Sequence, residues 1–290
     1  MPELPEVESI KVQLEKYLLG HRIVDLIIHT PSVFEGKRED IVDTSFVSVR
    51  RFAKVLSLDL SNSKSLVVHI KLTGQLIYRG RNLPNPPSLS RKVVGGVPGK
   101  HTHVVFVLDE NSFLYYNDVR LFGWIKVVNT KEVENIGFVG KLGPEPFGRQ
   151  DGKPALLTYE KFKGILAKSK RVIKTLLMDQ SKIGGIGNIY ANDALWLAGI
   201  HPERQAGKLS DNEVKTLYDA IIAVLKKGIE AGGASELAFV TPDGQEGSYQ
   251  NHTLAYGRNG KKCPRCKKSE FEKYFLAGRG TYICKICQKR

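Results

Sequence analysis

The hydrophobic pattern of this 290-residue chain changes period once, and that change limits the possible folds more than any other feature. From about 22 to 128 the apolar residues fall in short runs: RIVDLIIHT, FVSVRRFAKVLSLDL, SLVVHIKL, QLIYRG, HVVFVLD, FLYYND and GWIKVV. The turn-forming stretches SNSK, LTG and DEN lie between them. Several short strands with no helical pattern between them predict an antiparallel sandwich. Beyond 154 the period becomes helical. TYEKFKGILAK, RVIKTLLMDQ, NIYANDALWLAGI and SDNEVKTLYDAIIAVLKKGIEAGG each carry an apolar stripe. A further helix is predicted over 4–19, where Val7, Ile10, Leu14, Tyr17 and Leu18 recur at spacings of three and four. Pro5 sits at a tolerated first-turn position and Gly20 follows the end.

The change of period coincides with a stretch rich in glycine and proline, residues 137–154, which predicts a linker. The expected class is therefore α+β in two domains: a sandwich domain over 1–131, a linker over 132–153, a helical domain over 154–240 and an appended segment over 241–290. Residues 79–100, rich in Pro, Gly and Ser, predict a long mobile loop between strands. No apolar run approaches the ~18 residues that span a membrane, and the start MPELPEVES lacks the features of a secretory signal. A soluble, cytoplasmic protein is expected.

The formal net charge is +14, which suits a phosphate-rich partner, although a solubility surface or an anionic membrane is compatible with charge alone. Residues 241–290 hold 11 Lys or Arg against 4 Asp or Glu, so half the excess lies in that segment. All four cysteines lie there as well: Cys263, Cys266, Cys284 and Cys287 form two CxxC pairs 17 residues apart, the pattern of one structural Zn2+ on a β-hairpin. Two disulfides suit a chain without an export signal poorly, and a redox CxxC does not need two matched pairs.

At the other end, Pro2 offers a secondary amine if Met1 is removed. An α-amino group of ordinary pKa is roughly a tenth neutral at pH 7, whereas a lysine is neutral about 0.04% of the time, so the terminus is the more available nucleophile. Glu3 and Glu6 lie beside it and suit acid or base work. The favourable placement of acids in a helix's first turn also accounts for Glu6 and Glu8.

Five ordered motifs make the chain resemble the formamidopyrimidine-DNA glycosylase family along nearly its whole length: PELPEVE at the start, Lys54, RLFG at 120–123, GGIGNIY at 184–190 and the cysteine hairpin with AGRGTYICKICQK. The resemblance implies a helix-two-turn-helix domain with a zinc-finger hairpin, and a base-excision enzyme acting as a monomer on double-stranded damaged DNA. Such an enzyme excises oxidised purines (8-oxoguanine, formamidopyrimidines) and cuts the emptied site. It implies that Pro2 attacks the sugar C1′, expels the base and forms a Schiff base that drives β- and δ-elimination, with Glu3 as acid at the opened sugar and Glu6 in a positioning role.

The resemblance also implies that Leu72, Arg120 and Phe122 fill the space left by the everted nucleotide, since an unfilled gap costs a few kcal/mol of stacking. Lys54, Lys174, Asn188 and Arg279 grip backbone phosphates, Lys54 being grouped with the catalytic set. Asn188 opens a helix after SKIGGIG, where main-chain amides address a phosphate. The segment 236–250 corresponds to a mobile loop closing over the base. Departures from the family pattern are Leu72 in place of Met, Leu121 in place of a basic residue, Thr175 in place of Pro, and Glu236, Leu237 and Ala238 where an Arg-Asp pair is common. His101 and His103 receive no role.

Two rivals remain from the sequence. An endonuclease VIII-like enzyme for oxidised pyrimidines favours Gly where Leu4 stands, and a non-catalytic zinc-containing DNA-binding protein has no need of a processed Pro2.

Overall fold

The computed structural model describes residues 1–148 and 154–290. The chain divides into two compact units, Met1–Gly140 with Gly228–Gln250, and Lys141–Lys227 with Asn251–Arg290.

The first unit opens with helix α1 (Leu4–Leu18). The strands follow: β1 (Ile23–Ile28), β2 (Phe34–Glu35), β3 (Phe46–Phe52), β4 (Val55–Leu60), β5 (Lys64–His69), β6 (Gly74–Arg79), β7 (Thr102–Leu108), β8 (Ser112–Asp118) and β9 (Trp124–Asn129). They form the expected sandwich, a four-stranded sheet in the order β1-β7-β8-β6 and a five-stranded sheet in the order β2-β9-β5-β4-β3. The pairings are antiparallel except for the short parallel pair of β2 with β9. The two residues of β2 carry no period of their own, which is why the pattern of the sequence does not announce them.

The core explains the apolar strand runs. Leu58, Leu66, Val68, Tyr78, Phe106, Leu114 and Tyr116 lie in one buried cluster. Onto it α1 places Val7, Ile10, Leu14, Tyr17 and Leu18; each such side chain contributes about 1.5–3 kcal/mol on burial. Every residue of β4 is buried, because α1 packs on the sheet at β3 and β4.

The run 46–60, expected as one continuous strand region, is a hairpin. Phe52 pairs with Val55 across Ala53 and Lys54. Ala53 has φ 52°, a left-handed conformation that a tight hairpin turn usually gives to glycine.

The long loop after β6 is tied down. Gln75 Nε2 donates to the carbonyls of Lys92 (2.9 Å) and Ala238 (2.6 Å), and Gln245 Nε2 donates to Ser88 O (2.7 Å). These contacts hold 235–250 in the first unit: 228–250 cluster with the sandwich and not with the helices or the cysteine hairpin. The linker is also more structured than its composition suggests. It contains α2 (Gly137–Gly140), and buried Glu145 bridges to Leu156; residues 149–153 of that stretch lie outside the described residues.

The second unit carries α3 (Tyr159–Ala167), α4 (Ile173–Leu177), α5 (Asn188–Leu197) and most of α6 (Asp211–Glu230), then the hairpin β10 (Glu272–Leu276) and β11 (Arg279–Ile283). Thr158 caps α3 by accepting from Lys161 N, which satisfies one otherwise orphaned amide. The hairpin turns on Ala277 and Gly278, φ 49° and 71°. Its base packs on Trp196 of α5 with Ala255, Cys263, Phe271, Tyr282 and Cys284.

Candidate active site and cysteine cluster

In the first unit the head of α1 is buried. Pro2 lies beneath the surface, Glu3 is 3% exposed and Glu6 is 1% exposed. Glu3 is the N-cap, and the two carboxylates form a reciprocal capping box, with Glu3 accepting from the Glu6 amide and Glu6 Oε2 accepting from Glu3 N at 2.7 Å. The other oxygen, Oε1, accepts from Ala234 N at 2.7 Å. A carboxylate whose two oxygens each hold a backbone amide is fixed in place, which suits a positioning role. Gly233 permits this approach: its φ is +87°, and a Cβ there would meet Glu6 Cγ at 2.9 Å.

Lys54, 3% exposed, occupies the strained β3–β4 turn. Close to it is His69, whose pKa is pushed down to about 3, first by burial and then by Lys71 and Lys54. A neutral His69 therefore accepts at Nδ1 from Lys71 N (3.1 Å), which fixes the turn that presents half-buried Leu72.

Arg120 and Phe122 project from the β8–β9 loop. Phe122 is 54% exposed, and the Arg120 guanidinium lies over its ring at 4.6 Å. Val119 and Leu121 of the same loop are exposed as well, so it presents several apolar side chains to solvent, as interaction surfaces do. Sequence reasoning missed the residue that builds this loop. Asp118, fully buried, accepts from Arg120 N (3.1 Å) at Oδ1 and from Gly123 N (2.8 Å) at Oδ2, and it also accepts from the Thr73 hydroxyl beside Leu72. One carboxylate thus positions Leu72, Arg120 and Phe122 together. Burial, with Asp118 adding to it, pushes the Tyr116 hydroxyl pKa up, so that phenol stays protonated beside the carboxylate. His103 is structural here: Nε2 bonds Asp118 O and Nδ1 bonds Thr30 Oγ1.

Asp118→Ala is therefore expected to cost about 2–4 kcal/mol, because several buried donors lose a charged acceptor. Denaturant unfolding measures the stability, and limited proteolysis at 119–123 reports the loop. An unchanged midpoint would remove Asp118 from this role.

In the second unit Lys174, expected at a phosphate, is 1% exposed, and its ammonium donates to Gly280 O (2.9 Å) and Thr281 Oγ1 (2.8 Å) of β11. Its main contacts hold the strand that begins with exposed Arg279. Lys174, Arg171 and Arg279 line one cavity of about 270 Å³. Asn188 is the first residue of α5, and Asn192 one turn later links it to the hairpin. Asn192 Nδ2 donates to Asn188 O (2.7 Å) and Gly280 O (3.3 Å), while its Oδ1 accepts from Tyr282 N (2.9 Å). Asp193 accepts from the amides of Leu254, Ala255 and Tyr256. Neither residue was a sequence candidate; the ND in NIYANDALWL, polar at buried helical positions, is the signal that could have found them.

The four cysteines are free thiols with all Sγ atoms within 4.8 Å of one another. Cys263 and Cys287 are 3.8 Å apart, and Cys266 and Cys284 are 3.6 Å apart. A tetrahedral ion with metal–sulfur bonds of about 2.3 Å has sulfur–sulfur edges of about 3.8 Å, so the donor set fits one such ion. Burial raises the Cys263 pKa, but the amides of Cys266 and Arg265 outweigh it and hold the thiol down at about 6, which favours the ligating form.

Comparisons with known proteins agree with these features. Residues 1–125 match the formamidopyrimidine-DNA glycosylase N-terminal domain, and residues 142–239 match the formamidopyrimidine-DNA glycosylase H2TH domain. The formamidopyrimidine-DNA glycosylase of Desulforamulus reducens is 38% identical, covering 100% of this chain and 99% of its own. That of Streptococcus mutans is 35% identical over the full length of both. The Lactococcus lactis protein, solved in complex with DNA containing N7-benzyl-Fapy-dG, superposes with a TM-score of 0.84 at 31% identity over 100% of both chains. The chain belongs to the formamidopyrimidine-DNA glycosylase family.

Proposed function

We propose that the chain is a base-excision DNA glycosylase and abasic-site lyase that removes oxidised purines from double-stranded DNA. The observation that carries the reading is the head of α1, where Pro2 lies buried beside Glu3 and Glu6 in a chain that matches its family end to end. Solved relatives are bound to DNA carrying Fapy-dG or an abasic site, the substrate and product states of such chemistry.

The mechanism begins with loss of Met1, which frees the Pro2 nitrogen. That amine attacks C1′ of the damaged nucleotide, the bond from C1′ to the base breaks, and the base leaves with a proton. The resulting Schiff base acidifies C2′, so the 3′ phosphate and then the 5′ phosphate are eliminated. Glu3 serves as acid at the opened sugar. Glu6, with its oxygens on Glu3 N and Ala234 N, fixes Pro2 and the segment that follows α6. Phe122 wedges between bases and Arg120 occupies the vacated space, with Leu72 supporting. Asn188, Arg279 and Lys54 contact backbone phosphates, which contribute affinity and register more than sequence information. Lys174 holds the Arg279 strand. Zn2+ bound by Cys263, Cys266, Cys284 and Cys287 supplies no reaction step; it stabilises the fold of the hairpin. Among the described residues no helix is long and apolar enough to cross a membrane, and a cytoplasmic location at the DNA is proposed.

Borohydride trapping tests the reading. With an 8-oxoguanine·cytosine duplex, a covalent adduct is expected, and mass spectrometry is expected to place it on Pro2. Excision of 8-oxoguanine should exceed that of thymine glycol. No adduct, or a preference for the pyrimidine, overturns the assignment.

A further inference from the structure

A basic cavity in the second unit belongs to none of the roles assigned above. It has a volume of about 860 Å³, and Lys161, Lys168, Lys170, Arg171 and Lys182 line it. These come from α3, the α3–α4 connection and the loop before α5. Among the described residues lining it there is no carboxylate. Its remaining surface is partly apolar, from Pro144, Ile165 and Leu176. Four exposed lysines and Arg171, the last paired with Asp179, border one concavity; the like charges repel one another, and their proximity is stabilised when an anion joins them.

Three observations identify the anion. The four lysines are exposed, so each contact is screened and individually weak; a small anion gains little from such a rim, while a polyanion that brings successive phosphates sums the contacts. Arg171 borders both this cavity and the one shared by Lys174 and Arg279, so the two cavities adjoin at one residue. Asp179 holds the Arg171 guanidinium in place at 2.5 Å. Lys182 stands in the loop that leads into Asn188. We propose that this cavity is a second DNA-backbone site, which takes phosphates of the duplex flanking the lesion and lengthens the footprint beyond the nucleotides gripped by Asn188 and Arg279. The proposal rests on the reading of the chain as a glycosylase of duplex DNA.

The test compares binding across a salt series on duplexes of about 12 and about 36 base pairs, roughly one and three helical turns, each with a central abasic-site analogue. Binding is followed by fluorescence anisotropy. Each phosphate contact adds about 0.9 to the salt slope, so the wild-type slope on the long duplex should exceed that on the short one by about 2–3. The variant Lys161→Ala/Lys168→Ala/Lys170→Ala should abolish that excess and weaken long-duplex binding about tenfold at low salt. Its affinity for the short duplex, and its single-turnover nicking of a short 8-oxoguanine duplex, should match the wild type. A control with the same change of charge, Lys37→Ala/Lys131→Ala/Lys226→Ala, should keep the excess.

Equal wild-type slopes on the two lengths overturn the proposal, and so does an excess that survives in the variant or is lost equally in the control. Displacement of the long duplex's extra contacts by stoichiometric inorganic tripolyphosphate would make the cavity a small-anion site and also overturn it. A wild-type protein that fails to nick the short duplex contradicts the glycosylase reading instead, and the two failures are distinguishable.

Discussion

A preparation in which Pro2 remains joined to an uncleavable, Nα-acetylated preceding residue is expected to nick 8-oxoguanine duplex at least about 250-fold more slowly at pH 7, with damaged-duplex affinity within about twofold of the processed chain. The size follows from the populations of neutral amine. A free α-amino group of ordinary pKa is roughly a tenth neutral at pH 7 and a lysine about 0.04%, a ratio of about 250. In a peptide bond the nitrogen lone pair is delocalised into the carbonyl, so the terminus offers no nucleophile and only lysines remain. Lys54 is the substitute to watch, since it is buried at a strained turn in the same unit. Single-turnover nicking and borohydride trapping of the two preparations measure the effect. A blocked chain that nicks within about tenfold of the processed one, or an adduct on another residue of the processed chain, removes Pro2 from the chemistry.

The same carboxylates illustrate what the sequence could and could not convey. Helix-dipole preference and catalysis both accounted for Glu6 from the motif, and the structure shows why they are hard to separate. The reciprocal box with Glu3 is a helix-capping device, while the bond from Ala234 N reaches 228 residues along the chain. No local pattern announces that second contact. The sandwich was legible because short apolar runs bounded by turn residues read as strands, and β4 to β8 are buried along nearly their whole length, and α1 because its stripe packs on β3 and β4. The β3–β4 turn was not legible, because its left-handed residue is Ala53 and carries no turn signature.

Burial is the other quantity that motifs do not encode. Lys174 stood among basic residues expected at phosphates, yet its ammonium lies on Gly280 O and Thr281 Oγ1. Arg279 and Asn188, from the same set of expectations, are exposed and half-buried. A lysine inside a protein needs acceptors, and those acceptors come from a strand more than a hundred residues away. Asp118 makes the same point with the opposite charge. It sits two residues before Arg120 and looks like a turn residue, but its oxygens organise three candidate side chains from two loops.

Stripping metal from the full-length, zinc-loaded chain with a chelator is expected to weaken damaged-duplex binding by about 10–100-fold, the loss of a few charge-assisted contacts of about 1.5–3 kcal/mol each, partly offset elsewhere. A two-stranded hairpin is at best marginally stable in water by itself, and structural zinc supplies an apparent 10–16 kcal/mol in small zinc domains, as a rough guide. Without the ion, only weak Sγ–Sγ contacts of 3.6 and 3.8 Å and apolar packing join Cys263 and Cys284 to Cys266 and Cys287. As the cluster opens, Lys174 and Asn192 lose Gly280 O, and Arg279 loses its fixed place at the start of β11. Trp196 reports the event. It is 6% exposed, packs on Phe271, has the Arg265 guanidinium 4.4 Å from its ring centroid, and is one of two tryptophans in the chain, so its emission should shift to longer wavelength on stripping and return with added Zn2+. The Cys284→Ser variant should reproduce the stripped state. Pro2 stands in the other unit and the chemistry proposed for it uses no group of the cysteine hairpin, so trapping should recover when the DNA concentration is raised far above the weakened Kd. A chain confirmed to have lost its zinc that keeps both its Trp196 spectrum and its DNA affinity would show that the hairpin folds without the ion.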